Sequence, residues 1–449
     1  MKRSDAVQAI HALERKHEIF SIQREGMSVW ELICVSVVVN LVSEANYRTN
    51  EGRLGTIKKK LQPIEINTLK KVINSKKIRS KAENKETVLF MLRGKYSNGK
   101  DDLLHEYIEK YQKEKKYDTF FIDRRLDGEL SPNIYNAEYD TYHFRKYGKF
   151  FAVADIFQWT EEELETIENF YQDLLKLGYY GMPIRQLLEI KLKDFYIEKY
   201  NYSILIKAQN IKFIFLSLAY THLGLIAAAK ECGVKTVEIQ YANISNMHLG
   251  FNFAQNTVIN PDFLVLWSDI YTSSVSNNKA KLLVKCPEAI AKVESKKKDQ
   301  LLVIVQKVEY EAFLKIAEPL RKSNPNLPII FKLPQGINFS RDYLKKLKNW
   351  DIQIFEWDSP KSTMEFIKES KWVISGYSTA LIEAVAQGAI TISDQSIPNS
   401  EEFRRFIDLG IMFELEDYSM KAYQNQSRAN EAFNSQNIDA IIEVIENER

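Results

Sequence analysis

Cysteine is scarce in this chain: Cys34, Cys232 and Cys286 are far apart, odd in number and outside any CxxC pair. That argues against a disulfide framework or a structural zinc site and fits a reducing cytosol. Net charge is also nearly missing, since 62 lysines and arginines face 60 acids for a sum of +2. A dedicated nucleic-acid binder needs a broad positive field, so none is expected and any phosphate site must be local. Long apolar runs are absent too. The nearest is VWELICVSVVVNLV, Val29 to Val42, which is too short for a membrane span and carries Glu31, so it reads as a buried helix or strand. The opening MKRSDAVQAIHALERKHE has no apolar core behind its basic residues and does not read as a signal peptide. Neither an internal repeat nor a low-complexity tract is visible, and no Asp-x-Asp triplet suggests dependence on a divalent ion.

What is present is a long chain with regular grammar. Its 449 residues exceed one ordinary core, so two domains of roughly 200 residues are expected. Residues 1–85 read as an N-terminal helical appendage that ends in the basic run IKKKLQPIEINTLKKVINSKKIRSK. Such lysines either solvate a helix face or touch an anionic membrane surface. From Thr87 the pattern TVLFML, RGKYSNG, DDLLHEYIEKYQKEKK, YDTFFIDRR reads strand, loop, helix, strand. After a long helical middle the unit recurs as IKFIFLSLA, LGLIAAAKECG and VKTVEIQ. The polar stretch SSVSNNKAKLLVKCPEAIAKVESKKKDQ marks the junction, giving domains of 86–285 and 286–449. Beyond it LLVIVQ, LPIIFKL, DIQIFEW, KWVIS and AITIS alternate with helical segments. Strict alternation specifies an α/β architecture of parallel sheets with helices on both faces.

In such sheets ligands bind beyond the carboxyl ends of the strands. The knot Gly376-Tyr377-Ser378-Thr379 lies at such an end, between KWVIS and TALIEAVAQ. Glycine allows a sharp turn, and the hydroxyls and first N–H groups of a helix make an anion site. The alternative is a plain helix cap. Two loops at the same edge, Leu333-Pro334-Gln335-Gly336 and Asp358-Ser359-Pro360, leave polar backbone free. Lys332 either supplies a charge to a diphosphate or is simply solvated, and Phe355 and Trp357 either flank a base or fill core.

The arrangement resembles bacterial glycosyltransferases of the two-Rossmann GT-B type that build capsule, lipopolysaccharide or exopolysaccharide. YSTALIEAVAQG is similar to the family's phosphate-binding helix start, and FKLPQG to its basic-x-His-Pro strand end, with Leu333 in place of the histidine. LGLIAAAKECGVKTVEIQYANISNMHLGF looks like the stretch leading to Gln-His-Gly, with Gln240-Tyr241-Ala242 in that place. PDFLVLWSDIY and IFSIQREGMSVWELI also resemble family segments.

The resemblance implies two Rossmann-type domains facing a central cleft, with the last helix packing back on the first domain. It implies a nucleotide-sugar donor, carrying UDP or CMP, as substrate rather than cofactor, and a glycan or lipid-linked glycan acceptor. The expected location is the cytoplasm, with peripheral contact at the inner face of the membrane. Phosphate would fall to Gly376, Tyr377, Ser378 and Thr379, and the nucleotide to Lys332, Pro334, Gln335, Gly336 and Trp357. Glu383 either reaches a ribose hydroxyl or is an exposed helical glutamate. Candidates for the catalytic base are His222, His248 and Asp127, each at an expected strand-end loop, with Arg93 to Lys100 lining the acceptor side. Two other classes stay open: a sugar-nucleotide 2-epimerase-type isomerase, which shares the fold and needs several charged residues in the cleft, and a non-catalytic scaffold subunit of a glycan-assembly complex, favoured by the two replaced histidines.

Overall fold

The computed structural model describes residues 3–42, 85–93, 96–97, 100–123, 139–140, 158–255, 257–276, 278–291, 296–307, 310–334, 337, 339–356, 358–423, 433 and 437–448. Two parallel sheets organise the chain. The first contains β1 (Thr87–Leu92), β2 (Asp118–Asp123), β3 (Tyr139–Asp140), β4 (Ile211–Leu216), β5 (Lys235–Ile239), β6 (Phe263–Leu266) and β7 (Lys281–Val284), in spatial order β7-β6-β5-β4-β1-β2-β3. The second contains β8 (Lys298–Ile304), β9 (Ile329–Lys332), β10 (Gln353–Phe355), β11 (Ser370–Ser375), β12 (Ile390–Ser393) and β13 (Phe413–Glu414), in order β10-β9-β8-β11-β12-β13. Central strands such as TVLFML are buried at every position because helices cover both faces. This is the GT-B-like pairing of two Rossmann-type α/β halves expected above.

The chain crosses between sheets between Val284 and Lys298. Within the polar stretch read as a junction, KLLV forms the edge strand β7, paired in register with β6. Its short apolar core satisfies one neighbour, which is all an edge requires.

The described part of the N-terminal segment is not peripheral. Helices α1 (Arg3–His17) and α2 (Cys34–Val42) share one apolar cluster with α4 (Glu161–Lys176), α5 (Ile184–Ala208) and α6 (Leu223–Glu231), while α3 (His105–Glu114) covers the other face of the sheet. Trp30 packs edge-on against Phe170 at 4.8 Å and donates through Nε1 to Glu14 Oε1 at 2.6 Å. Arg24 makes a two-pronged pair with Glu163 at 2.8 and 2.9 Å. The helix that receives these contacts is locally well specified: Thr160 and Glu163 form a capping box, and Ile167, Phe170 and Leu174 fall on one face. Thus residues 3–42 serve as a layer of the first half. The lysine-rich run after Val42 lies outside the described residues.

The second half is wrapped by α7 (Ala312–Ser323), α8 (Arg341–Asn349), α9 (Thr363–Glu369) and α10 (Ala380–Ala386), followed by α11 (Arg404–Asp408) and α12 (Ile438–Asn447). Helix α12 lies against the first half, where Lys110 pairs with Asp439 at 2.6 Å, Lys281 with Glu448 at 3.1 Å, and Lys116 with Glu446. One apolar cluster runs through both halves, from Phe90 and Phe215 to Leu381 and Ile445. Among the described residues no helix is long and apolar enough to cross a membrane.

Candidate functional site

Counted from its own first strand, the second sheet has the order 3-2-1-4-5-6. The connections from β8 and β11 therefore leave in opposite directions and open a crevice beyond their carboxyl ends, the usual ligand position in such sheets. Residues 376–379 follow β11 and so stand at this crevice. Across it, Gln306 Oε1 accepts the N–H of Gly376 at 3.2 Å and of Tyr377 at 2.9 Å. Ser375 Oγ donates to the Ile304 carbonyl at 2.7 Å, and Ser393 Oγ to that of Gly376 at 2.9 Å. A Cβ on Gly376 would lie 2.6 Å from Ile397 Cγ2 and 2.7 Å from Gln306 Oε1, so the glycine is required by space.

The expected anion site is therefore narrower than the sequence suggested. The N–H groups of Gly376 and Tyr377 are taken by a side-chain carbonyl of the chain itself. Ser378 and Thr379 remain half-buried at the start of α10. Ser378 Oγ accepts from Ala380 N at 3.3 Å, while Thr379 occupies the cap position without a side-chain bond to the helix. Among the described residues, no acceptor meets the N–H of Ser378 or Thr379.

The neighbouring loops are built from within. Lys332 is buried, and its Nζ donates to the Glu356 carbonyl and to Ser359 Oγ, the latter at 2.7 Å. Burial lowers its pKa, opposed by the charge of Asp358. It thus holds the turn after β10 instead of being solvated. Leu333 continues the strand pairing through its N–H to Phe355 O at 2.9 Å, and its side chain is part of the second-half core. Where the resembled family carries histidine, this chain has a core residue. Phe355 packs on Phe366 at 4.7 Å, so of its two readings it fills core. Pro334 is half-buried; Gln335, Gly336 and Trp357 lie outside the described residues. Glu383 is half-buried and already engaged within the chain, not an exposed helical glutamate.

The first sheet repeats the order 3-2-1-4-5-6 with β7 added, so its crevice lies between β1 and β4. At the end of β1, Arg93 sends its backbone N–H and Nε to the buried Asp101 at 3.0 and 3.2 Å. Its guanidinium lies 5.0 Å from the Tyr241 ring centre, a cation–π contact reaching to the end of β5. Beyond β4 the chain turns through Leu218 in the left-handed region (φ 58°), and the N–H of Ala219 donates to Glu238 Oε1 at 2.9 Å. Burial raises Glu238 to about 7, opposed by bonds from the backbone at Ala219 and Leu218.

His222 follows this turn, buried at the cap position of α6, with its carbonyl accepting from Ile226 N at 3.1 Å and no side-chain cap bond. His248 packs between Tyr220 and Phe251 at 5.3 and 5.1 Å, and its Nδ1 accepts the Gly250 N–H at 3.1 Å. Burial, then the charge of Arg3, lowers it to about 4, so its imidazole is neutral near pH 7 with one nitrogen occupied. Asp127 and most of the Arg93–Lys100 loop's side chains lie outside the described residues. Gln240 is fully used inside the fold: Oε1 accepts Trp267 N at 2.8 Å, and Nε2 donates to Ala242 O at 2.9 Å.

The two halves are joined near these loops. Arg3 of α1 pairs with Glu402, whose other oxygen lies 3.4 Å from Ser245 Oγ in the loop after β5. Arg405 donates to Ser274 Oγ at 2.7 Å, and Gln387 Nε2 to the carbonyls of Ile290 and Ala291 at 2.6 and 2.7 Å.

Sequence reasoning missed Gln306, Glu238 and Asp394. Asp394 follows β12 at the same edge; its Oδ1 accepts from Ser396 N and Oγ at 2.9 and 2.7 Å, while Oδ2 is buried and meets no donor among the described residues. A carboxylate inside the expected strand VKTVEIQ and an acid directly after AITIS were the available signals. Gln306 had none beyond its place after a strand. Among the described residues, no three His, Cys, Asp or Glu side chains gather as a metal site.

No family model and no curated protein matches the sequence. Solved structures similar in architecture include the UDP-GlcNAc 2-epimerase from Methanocaldococcus jannaschii, at 10% identity and TM-score 0.43, covering 80% of this chain and 99% of that one. The glycosyltransferase SnogD from Streptomyces nogalater has 10% identity and TM-score 0.42 over 75% and 88% of the two chains. MurG from Acinetobacter baumannii has 7% identity and TM-score 0.41 over 73% and 85%.

Proposed function

We propose that this chain is a nucleotide-sugar-using enzyme, and specifically a metal-independent glycosyltransferase that extends a bacterial surface glycan. The observation that carries the reading is the position of Ser378 and Thr379: they follow β11 at the second-half crevice, with two N–H groups that no acceptor among the described residues meets. Donors at a helix start favour an anion and stabilise a departing diphosphate or monophosphate without a cation. The donor carries UDP or CMP. The first-half crevice, with Arg93 on one side and His222 on the other, takes a glycan or lipid-linked glycan acceptor at the cytoplasmic face of the membrane. His248 is a weak base in this arrangement, since burial lowers its pKa to about 4 and Nδ1 already accepts the Gly250 N–H, which leaves His222 and Asp127 as the candidates.

A specific observation favours a second reading. An isomerase acting on the sugar ring needs a buried group able to hold and return a proton, and Glu238, raised to about 7 by burial, lies beside the first-half crevice.

Calorimetric titration with UDP, CMP and GDP tests the proposal. Binding of one of them, weakened about tenfold or more by Ser378→Ala with Thr379→Ala, is expected. Turnover of a nucleotide sugar without acceptor would establish the isomerase instead. Failure to bind any nucleotide would overturn both enzyme readings and favour the scaffold subunit.

A further inference from the structure

Asn243 is 8% exposed, yet among the described residues neither its Nδ2 nor its Oδ1 meets a hydrogen-bond partner. Its neighbours do not share this condition. Gln240 is satisfied at both ends of its amide, Ser245 reaches Glu402, and Asn252 donates to the carbonyls of Ser245 and Ser274 while accepting from Ser276 Oγ at 2.8 Å. Buried polar groups are nearly always paired, and a leucine of similar volume would fill the same space without desolvating an amide. A carboxamide without partners is the mark of a group that a ligand or a trapped water completes.

Its place in the fold narrows the choice. Asn243 lies in the loop after β5. Tyr241, earlier in that loop, lies beneath the Arg93 guanidinium that marks the first-half crevice, and Ser245, later in it, touches Glu402 of the second half. The loop that carries Asn243 therefore runs from the first-half crevice to the seam with the second half. A carboxamide offers one acceptor and two donors side by side. Adjacent hydroxyls on a pyranose, each able to donate and accept, complement that set.

We infer that Asn243 binds hydroxyls of the substrate's sugar, contributed by the first half while the second half holds the nucleotide. This rests on the nucleotide-sugar reading and adds to it a residue that discriminates the sugar from the nucleotide alone. Because a carboxamide also meets an acylamido group, both a plain and an acylated sugar serve as probes.

The full chain and its Asn243→Leu variant would be titrated with UDP, UDP-glucose and UDP-N-acetylglucosamine. The variant is expected to keep UDP affinity within about twofold and to lose about tenfold or more for at least one nucleotide sugar. The side-chain amide signal of Asn243, assigned by its loss in the variant, should shift on adding the nucleotide sugar and not on adding UDP. Equal loss for UDP and its sugars would mark a general disturbance of the fold and overturn the inference. So would unchanged affinity for all three, which would leave the amide to a trapped water. If the wild-type chain binds no nucleotide, the proposed function fails by itself. Free glucose and N-acetylglucosamine at millimolar concentration, read at the same amide, then decide the inference separately, and no shift with either overturns it.

Discussion

The N–H of Tyr377 donates to Gln306 Oε1 at 2.9 Å, joining the loops that follow two adjacent strands of the second sheet. The same oxygen also receives the Gly376 N–H, so one side chain spans the crevice and fixes the backbone immediately before Ser378 and Thr379.

Replacing Gln306 separates its two effects. Gln306→Ala leaves both N–H groups without their acceptor and should cost about 1–3 kcal/mol of stability, read by denaturant unfolding. Gln306→Glu keeps an accepting oxygen but adds a negative charge beside the expected phosphate. It should remain closer to wild type in stability while weakening nucleotide binding by about tenfold. Unchanged nucleotide affinity in the glutamate variant would count against a phosphate at this edge.

Glu238 supplies a pH signature. Burial raises its folded-state pKa from the ordinary 4.5 of a glutamate to about 7, so the folded state holds a proton that the unfolded state has lost between these values. The stabilising contribution is complete below about pH 4.5 and falls away as pH rises through 7. Glu238→Gln keeps an acceptor for the Ala219 N–H and removes the titration. Its melting temperature should exceed wild type at about pH 8 and converge with it near pH 5. A constant difference across that range would contradict the assignment.

His248 should behave as a neutral ring. With its pKa lowered to about 4 and Nδ1 accepting from Gly250, its ring resonances should not titrate between about pH 6 and 8. Nitrogen-15 shifts should show the proton on Nε2. An inflection near pH 6.5 would restore it as a candidate base.

Arg3 and Glu402 hold the N-terminal helix to the second half. Arg3→Ala should destabilise the chain by about 1–3 kcal/mol by leaving a buried carboxylate opposite Ser245 alone. Adding Glu402→Gln should recover part of that loss, since an uncharged amide is cheaper to bury. Thermal unfolding of the two variants checks this, and no recovery in the double variant would locate the effect elsewhere in α1.

The sequence by itself determined the class of architecture. Alternating strands and helices from Thr87 onward require parallel sheets because each helix must bury one face, and the caps at Thr160 and Ser362 are written in local side chains. It also placed Ser378 and Thr379 at a strand end, since a polar knot between apolar segments has few other places to lie. Only the tertiary structure decided which strands are neighbours. Gln306 finds Gly376 and Tyr377 because β8 pairs with β11, a choice among strands that no local pattern encodes. The same holds for the burial of the Asn243 amide, the core position of Leu333, and the N-terminal helices that form a layer of the first half. Periodicity reveals which residues are to be buried, but the partners of a buried polar atom are set by contacts between segments far apart in the chain.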